Sequence, residues 1–295
     1  MQMRKAVRAR VHKFDATGET SAGPDSLAGE EPLEMQLDGQ QYTVTMRTPG
    51  NDVELIAGYL LSEAVVTAMD DIEEINFSAG IAPDGTRNYN VARVRLRPGV
   101  WSPESAPPRN VYTSSSCGIC GTAAADAVTK TSAFPLIPAS CHLEDDEEYE
   151  FPQLISAARI GQLPDRLRQT QEIFDKTGGV HAAALFAVGE DPGAEPELLI
   201  AREDVGRHNA VDKVIGWAMA NHEKGLPLRS TVLQVSARAS FELVQKCAMA
   251  GIPMMSAVSA PSAMAVDYGR GVGVTVIGFN RKGRFNAYSY PERVA

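Results

Sequence analysis

A chain of 295 residues with 44% hydrophobic and 22% charged side chains can bury a sizeable core without disulfide staples. Its net charge of −9 argues against general nucleic-acid binding, which rests on neutralising phosphates, so an anionic ligand needs a local basic pocket on an acidic body. Four irregularly spaced cysteines are no secreted framework, the basic start through Arg10 leads into no apolar signal run, and no stretch reaches the roughly 18 apolar residues of a membrane span. The expectation is a cytoplasmic protein with reduced thiols and no membrane contact.

In chain order, residues 1–32 read as a flexible lead-in, because positions 15–31 carry Gly, Ser, Ala, Asp and Glu with little apolar content. A small α/β unit is predicted over 33–108. Leu33–Leu37 and Tyr42–Met46 form a hairpin about Asp38-Gly39, a helix runs from Asp52 to about Ala64, and Ile72–Phe77 and Tyr89–Leu96 are strands. A proline-rich link over 98–108 leads to the thiol loop, and residues 109–295 form the larger unit. The acidic run Glu144–Glu150 reads as a solvated loop, and Phe151–Ala158 and Pro164–Thr177 as helices. From Val180 onward strands and helices alternate. Strands Val180–Val188, Leu198–Ala201, Thr231–Val235, Pro253–Val258 and Val272–Phe279 are interleaved with helices Arg207–His222, Phe241–Ala250 and Pro261–Gly269. That alternation predicts a buried, largely parallel sheet covered on both faces.

Cys117 and Cys120 form a C-x-x-C pair inside Ser114-Ser115-Ser116-Cys117-Gly118-Ile119-Cys120-Gly121. Serines and glycines give a segment with little packing, and the alanine-rich stretch from Thr122 reads as a helix whose N-terminal charge favours thiolate. A dithiol redox couple, a sulfur carrier and half a zinc site all use such a pair. Zinc would need Cys141-His142, and adjacent residues can hardly both reach one tetrahedral ion, so no metal is expected. Cys247, four residues after Leu243 in a helix, reads as core; Cys141 reads as a bystander.

Three polar turns fall at one edge of the predicted sheet, where open α/β sheets bind ligands. The first is Glu203-Asp204-Val205-Gly206-Arg207-His208-Asn209, whose Arg, His and Asn suit a phosphate or polar ring, or else simply cap a helix with Asp212 and Lys213 on a wet face. The second holds Ser236, a potential helix cap, and Arg238, which can fork to phosphate; the third holds Ser259. The last strand ends in Phe279-Asn280-Arg281-Lys282-Gly283-Arg284, three cations in four residues, either a solvated turn or a pyrophosphate site. His181 opens a strand as His181-Ala182-Ala183, without the glutamate that deaminase chemistry requires in H-x-E.

Cys117-Gly-Ile-Cys120-Gly, Thr177-Gly-Gly-Val-His181-Ala-Ala, the block from Glu203 through Lys213, Ser240–Lys246 through Pro253, and Val258-Ser-Ala-Pro261-Ser together resemble the formate dehydrogenase accessory sulfurtransferase family, from about residue 33 to the C-terminus. The resemblance implies a homodimer with a cytidine-deaminase-like three-layer αβα larger domain beside the smaller α/β domain. It also implies that sulfur arrives from a cysteine desulfurase as a persulfide and passes to molybdenum bis(molybdopterin guanine dinucleotide) destined for formate dehydrogenase. Cys117 matches the family's persulfide cysteine, Cys120 the second cysteine, and Phe279–Arg284 the cofactor-binding segment. A cofactor chaperone without sulfur chemistry is the alternative. Ala237 departs from the family's usual glycine, which would narrow ligand approach at that turn.

Overall fold

The computed structural model describes residues 4–81, 87–102, 129–137, 151–223 and 225–295. Cys117, Cys120, Cys141, the acidic run and the linker from residue 103 lie outside them.

The lead-in is a long antiparallel hairpin, contrary to the expectation of a flexible tail. β1 (Ala6–Asp15) and β2 (Gly18–Ala28) pair along their length, with a register shift at Lys13/Phe14. Most of its residues are exposed, so the hydrophobic alternation that announces a strand is missing. Its base is tied down instead, where the Gly29 N–H donates to the Lys5 carbonyl at 2.8 Å and Ala28 abuts Gly179.

A four-stranded sheet follows in the order β4-β3-β6-β5, from β3 (Glu31–Leu37), β4 (Gln40–Arg47), β5 (Ile72–Ile81) and β6 (Arg87–Leu96). The expected turn joins β3 to β4, with Asp38 and Gly39 both at positive φ (46° and 85°), the two-residue geometry whose twist suits a hairpin. Leu33, Met35 and Leu37 from β3 and Ala92, Val94 and Leu96 from β6 face inward against α1 (Asp52–Ser62).

The larger sheet has six strands, ordered β12-β11-β10-β9-β7-β8. These are β7 (His181–Ala187), β8 (Glu197–Asp204), β9 (Thr231–Val235), β10 (Met254–Ala257), β11 (Thr275–Arg281) and β12 (Arg284–Ala287). Only β9, β10 and β11 run parallel; β7 is antiparallel to β8 and β9, and β12 to β11. The sheet is therefore mixed rather than largely parallel, because β7–β8 and β11–β12 are hairpins and only the intervening strands are joined by helical crossovers.

Side chains alternate across this sheet. Ala183, Leu185, Leu233, Val235, Met255 and Val276 face α5 (Arg207–Asn221), α6 (Phe241–Ala250) and α7 (Ala263–Val272). Ala182, Ala184, Phe186, Val232, Met254 and Ile277 face α2 (Ala157–Ile160) and α3 (Leu163–Arg168). The first cluster continues through α1 to the four-stranded sheet, so one core spans both halves of the chain. Two predicted helices differ in extent. Residues 151–156 are not helical, and Ile155 is bridged to Val294. The expected helix over 164–177 is broken at Thr170-Gln171 into α3 and α4 (Glu172–Thr177), and that break shapes one wall of the site. No helix among the described residues is long and apolar enough to cross a membrane.

Candidate functional site

At the edge where β9, β10 and β11 end and β7 begins, a cleft of about 720 Å³ opens. Its floor carries His181, Ser236 and Val258, one wall is built from α3 and α4, and Arg281 and Lys282 stand opposite. Of the residues expected to meet a ligand, the fold brings Ser236, Arg281 and Lys282 into this cleft.

The basic turn is a tight hairpin. Arg281 pairs with Arg284 across Lys282 (φ 54°) and Gly283 (φ 70°), so the three cationic side chains project into solvent from a two-residue loop. Just before it the register shifts between Gly278 and Arg281, and Phe279 sits at φ 54°. A phenylalanine there costs on the order of 1–3 kcal/mol, which the surroundings must offset. The Phe279 N–H donates to the Ser259 carbonyl at 3.1 Å, and the Arg281 guanidinium lies 5.8 Å from the Phe279 ring centroid. Asn280 does not join this binding surface. Its side chain is fully buried, and Nδ2 donates to the Ile160 carbonyl at 2.8 Å and to Ser256 Oγ at 2.9 Å, locking the turn onto α2 and β10. Strand alternation sends it inward while Arg281 points out.

The Glu203–Lys213 block is mostly an internal lock. Asp204 Oδ2 meets Lys213 Nζ at 2.7 Å and accepts the Thr48 N–H at 3.0 Å, while Oδ1 accepts from the Gly206 N–H at 2.8 Å and from Asn209 Nδ2 at 3.0 Å. Asn209 Nδ2 also donates to the Met46 carbonyl at 2.7 Å. Asn209 therefore joins the two halves of the chain and does not reach the cleft. Asp212 and Lys213 do not lie on a wet face as expected: both are buried, and Asp212 pairs with Lys246 at 2.7 Å and accepts from Ser62 Oγ at 2.9 Å. Glu203 caps α4, accepting the Ile173 and Phe174 N–H groups at 2.8 Å.

Arg207 and His208 open α5 behind the cleft floor, and neither lines the cleft. His208 Nε2 lies 3.8 Å from Glu242 Oε2, an ion-pair separation too long for a hydrogen bond. Burial pushes the His208 imidazole below its ordinary range. His181, which does line the cleft, is held below its ordinary 6.5 first by burial and then by the positive charge of Arg207 and His208, with Asp204 pulling the other way. The unfolded chain binds this proton more readily, so His181 subtracts stability as pH falls below about 6.5. By NMR titration the imidazole is expected to protonate below 6.5, and Arg207→Ala to move its midpoint part of the way back; a midpoint at or above 6.5 in the parent would contradict this environment.

Ser236 does not cap α6. Its Oγ accepts the Ala182 N–H at 2.9 Å, stitching β9 to β7. Arg238 and Ser259 are exposed at the same sheet edge but outside the cleft lining, and half-buried Phe279 and exposed Gly283 and Arg284 also lie outside that lining. Ala237 lacks a positive φ, so alanine suits that turn without backbone strain. Cys247 is fully buried in α6, where burial raises its thiol pKa far above the ordinary range, as its core reading expects. The α3–α4 wall was missed, because its residues read as two faces of one continuous helix and only the break at Thr170-Gln171 turns Gln171 and Phe174 toward the sheet edge.

Comparison with known proteins identifies the family and the fold. Residues 28–295 match the FdhD/NarQ family. The chain is 46% identical over 294 residues to a sulfur carrier protein FdhD of Streptomyces coelicolor, covering 100% of this chain and 95% of that protein. It is 37% identical over 294 residues to the one of Sulfolobus acidocaldarius, covering 100% and 99%. A crystal structure from Desulfotalea psychrophila, described as a formate dehydrogenase accessory protein, superposes with a TM-score of 0.68 at 19% identity, over 99% of this chain and 100% of that one. On the extent of these matches, the chain belongs to the FdhD/NarQ family.

Proposed function

We propose that this protein is a sulfur carrier for molybdenum-cofactor maturation. It takes sulfur from a cysteine desulfurase on Cys117 and delivers it to molybdenum bis(molybdopterin guanine dinucleotide), the cargo bound at the cleft on its way to formate dehydrogenase. The observation that carries the reading is the Arg281–Arg284 hairpin, three exposed cations on a strained turn beside a cleft with an apolar wall, on a chain of net charge −9. Anionic phosphates seek such a local positive field, and apolar walls suit planar rings. The names of the relatives support the sulfur role. The reading further takes the protein to be a cytoplasmic homodimer, and takes its larger sheet, with an antiparallel β7–β8 opening and helices on both faces, to be a cytidine-deaminase-like αβα unit.

The chemistry runs through thiolates. The Cys117 thiolate attacks the terminal sulfur of the donor persulfide, the donor S–S bond breaks, the donor thiolate leaves, and Cys117 carries the new persulfide. If Cys120 resolves it, the Cys120 thiolate attacks the inner sulfur, a Cys117–Cys120 disulfide forms, and the outer sulfur leaves as HS⁻ with the electron pair; a cellular thiol reductant then restores the dithiol. Intact-mass spectrometry after incubation with a cysteine desulfurase and cysteine is expected to show one added sulfur on the parent and on Cys120→Ala, and none on Cys117→Ala. An adduct that survives in Cys117→Ala and disappears in Cys120→Ala would exchange the two roles. Active formate dehydrogenase produced with Cys117→Ala would favour the chaperone reading.

A further inference from the structure

None of the described residues of the β1–β2 hairpin joins either buried cluster, and its two faces differ. Strand pairing sorts the side chains. Arg8 stands opposite Ser26, Arg10 opposite Pro24 and His12 opposite Ala22. Two guanidinium groups and an imidazole thus follow one another about 7 Å apart on one face, and no carboxylate faces them across the ribbon. Val7 opposite Leu27, Ala9 opposite Asp25 and Val11 opposite Gly23 make up the other face. Asp15 and Asp25 are turned to the ribbon's own backbone, accepting the Thr17 and Ser26 N–H groups at 2.7 Å and 2.8 Å. Large apolar side chains lie in the open beside the cations: Val7 is 41% exposed, Leu27 50% and Phe14 68%. The strands pair only with each other, so both outer edges carry open backbone groups. A two-stranded ribbon wet on both faces is marginal in water, and arginine and aromatic side chains are enriched where proteins bind one another. The ribbon is rooted at the cleft: it packs on α4, and Ala28 abuts Gly179, which lines the cleft.

We propose that this hairpin is a docking arm for the protein that takes up the cargo, gripping an acidic surface of it through Arg8 and Arg10 with Phe14 as an apolar anchor. The assignment rests on reading the cleft as the cargo site. A body of net charge −9 repels an acidic partner, and the arm supplies the cationic strip along which such a partner can approach. A partner held there stands beside the cleft. Two copies of the arm laid edge to edge would bring like charges together, which opposes pairing of the arm with itself. A nucleic acid would meet the same acidic body and gain nothing from Val7 and Leu27.

The test is binding of the full chain to cofactor-free formate dehydrogenase by biolayer interferometry, with sulfur loading of Cys117 by a cysteine desulfurase followed in parallel. Arg8→Glu/Arg10→Glu is expected to weaken binding by about tenfold or more, and Arg8→Lys/Arg10→Lys to keep most of it. Phe14→Ser is expected to weaken it as well. Added salt is expected to weaken the parent complex and to leave the charge-reversed variant nearly unmoved. Loading of Cys117 is expected to be unchanged in every variant, which also reports that they fold. If the parent does not bind the dehydrogenase, or charge reversal changes its affinity by less than about twofold, while Cys117 still takes up sulfur, this assignment falls and the sulfur-carrier reading stands. Charge reversal that abolishes loading but spares the dehydrogenase would give the arm to the sulfur donor. Charge reversal that splits a dimer in sedimentation would give it to a second copy, and tighter binding of the parent to single-stranded RNA than to the dehydrogenase would give it to phosphates. Each of these three results overturns the assignment. A parent that neither takes sulfur on Cys117 nor binds the dehydrogenase overturns both readings.

Discussion

Asp204→Ala is expected to destabilise the protein by about 3–5 kcal/mol, the range seen when one partner of a buried ion pair is removed. Asp204 is 0% exposed and Lys213 1%, so the substitution leaves an ammonium group in the interior opposite no carboxylate. It also strands the N–H groups of Thr48 and Gly206 and one donor of Asn209. Because Thr48 follows β4 and Gly206 precedes α5, the loss falls on the seam between the two halves of the chain. Chemical denaturation measures it. The double variant Asp204→Ala/Lys213→Met is expected to recover a large part, since it removes the uncompensated charge together with its partner. A loss below about 1 kcal/mol for the single variant would show that the pair is solvated in a way its burial does not allow.

The second large effect is expected at the crossing of α1 and α5. A β-carbon at Gly58 would fall inside contact distance of the Asp212 carbonyl and 2.9 Å from the Gly216 nitrogen; one at Gly216 would do the same to the Glu54 carbonyl and lie 2.8 Å from the Gly58 nitrogen. The two helices touch backbone to backbone. In an open helix, glycine to alanine is favourable by about 1 kcal/mol. Here the obstacle is backbone, which cannot rotate aside, so the clash wins: Gly58→Ala and Gly216→Ala are each expected to cost about 3 kcal/mol, at the upper end of overpacking penalties. The melting midpoint reports it, and a rise in stability for either variant would refute the close crossing. Because α5 begins with Arg207 and His208, its displacement is also expected to raise the His181 titration midpoint, which links this remote packing to the cleft.

What could be read from the sequence depended on how far each feature reaches along the chain. The Asp38-Gly39 hairpin, the strand–helix alternation after Val180, the core position of Cys247 and the basic turn at Arg281–Arg284 were all legible. Each is decided by turn chemistry or side-chain period within a few residues. The β1–β2 hairpin was not, because a ribbon with both faces largely wet has no apolar period to show. The break between α3 and α4 was hidden too, since it lies within a stretch of helix-compatible residues.

The Glu203–Lys213 block shows the division most clearly. Its residues were conspicuous, and its role was misread, because polar side chains at a strand-to-helix turn look alike whether they face a ligand or another part of the protein. Asp204 meets Thr48 across 156 positions and Asp212 meets Ser62 across 150, and no local pattern carries such a pairing. Local patterns along the chain carry the family resemblance, most of the elements and the place where positive charge gathers, because these follow from neighbouring residues. That Asn280 and Asn209 turn inward while Asp165, Gln171 and His181 share one cleft with Arg281 and Lys282 emerges only in the folded chain, because burial is set by which distant surfaces come to exclude water together.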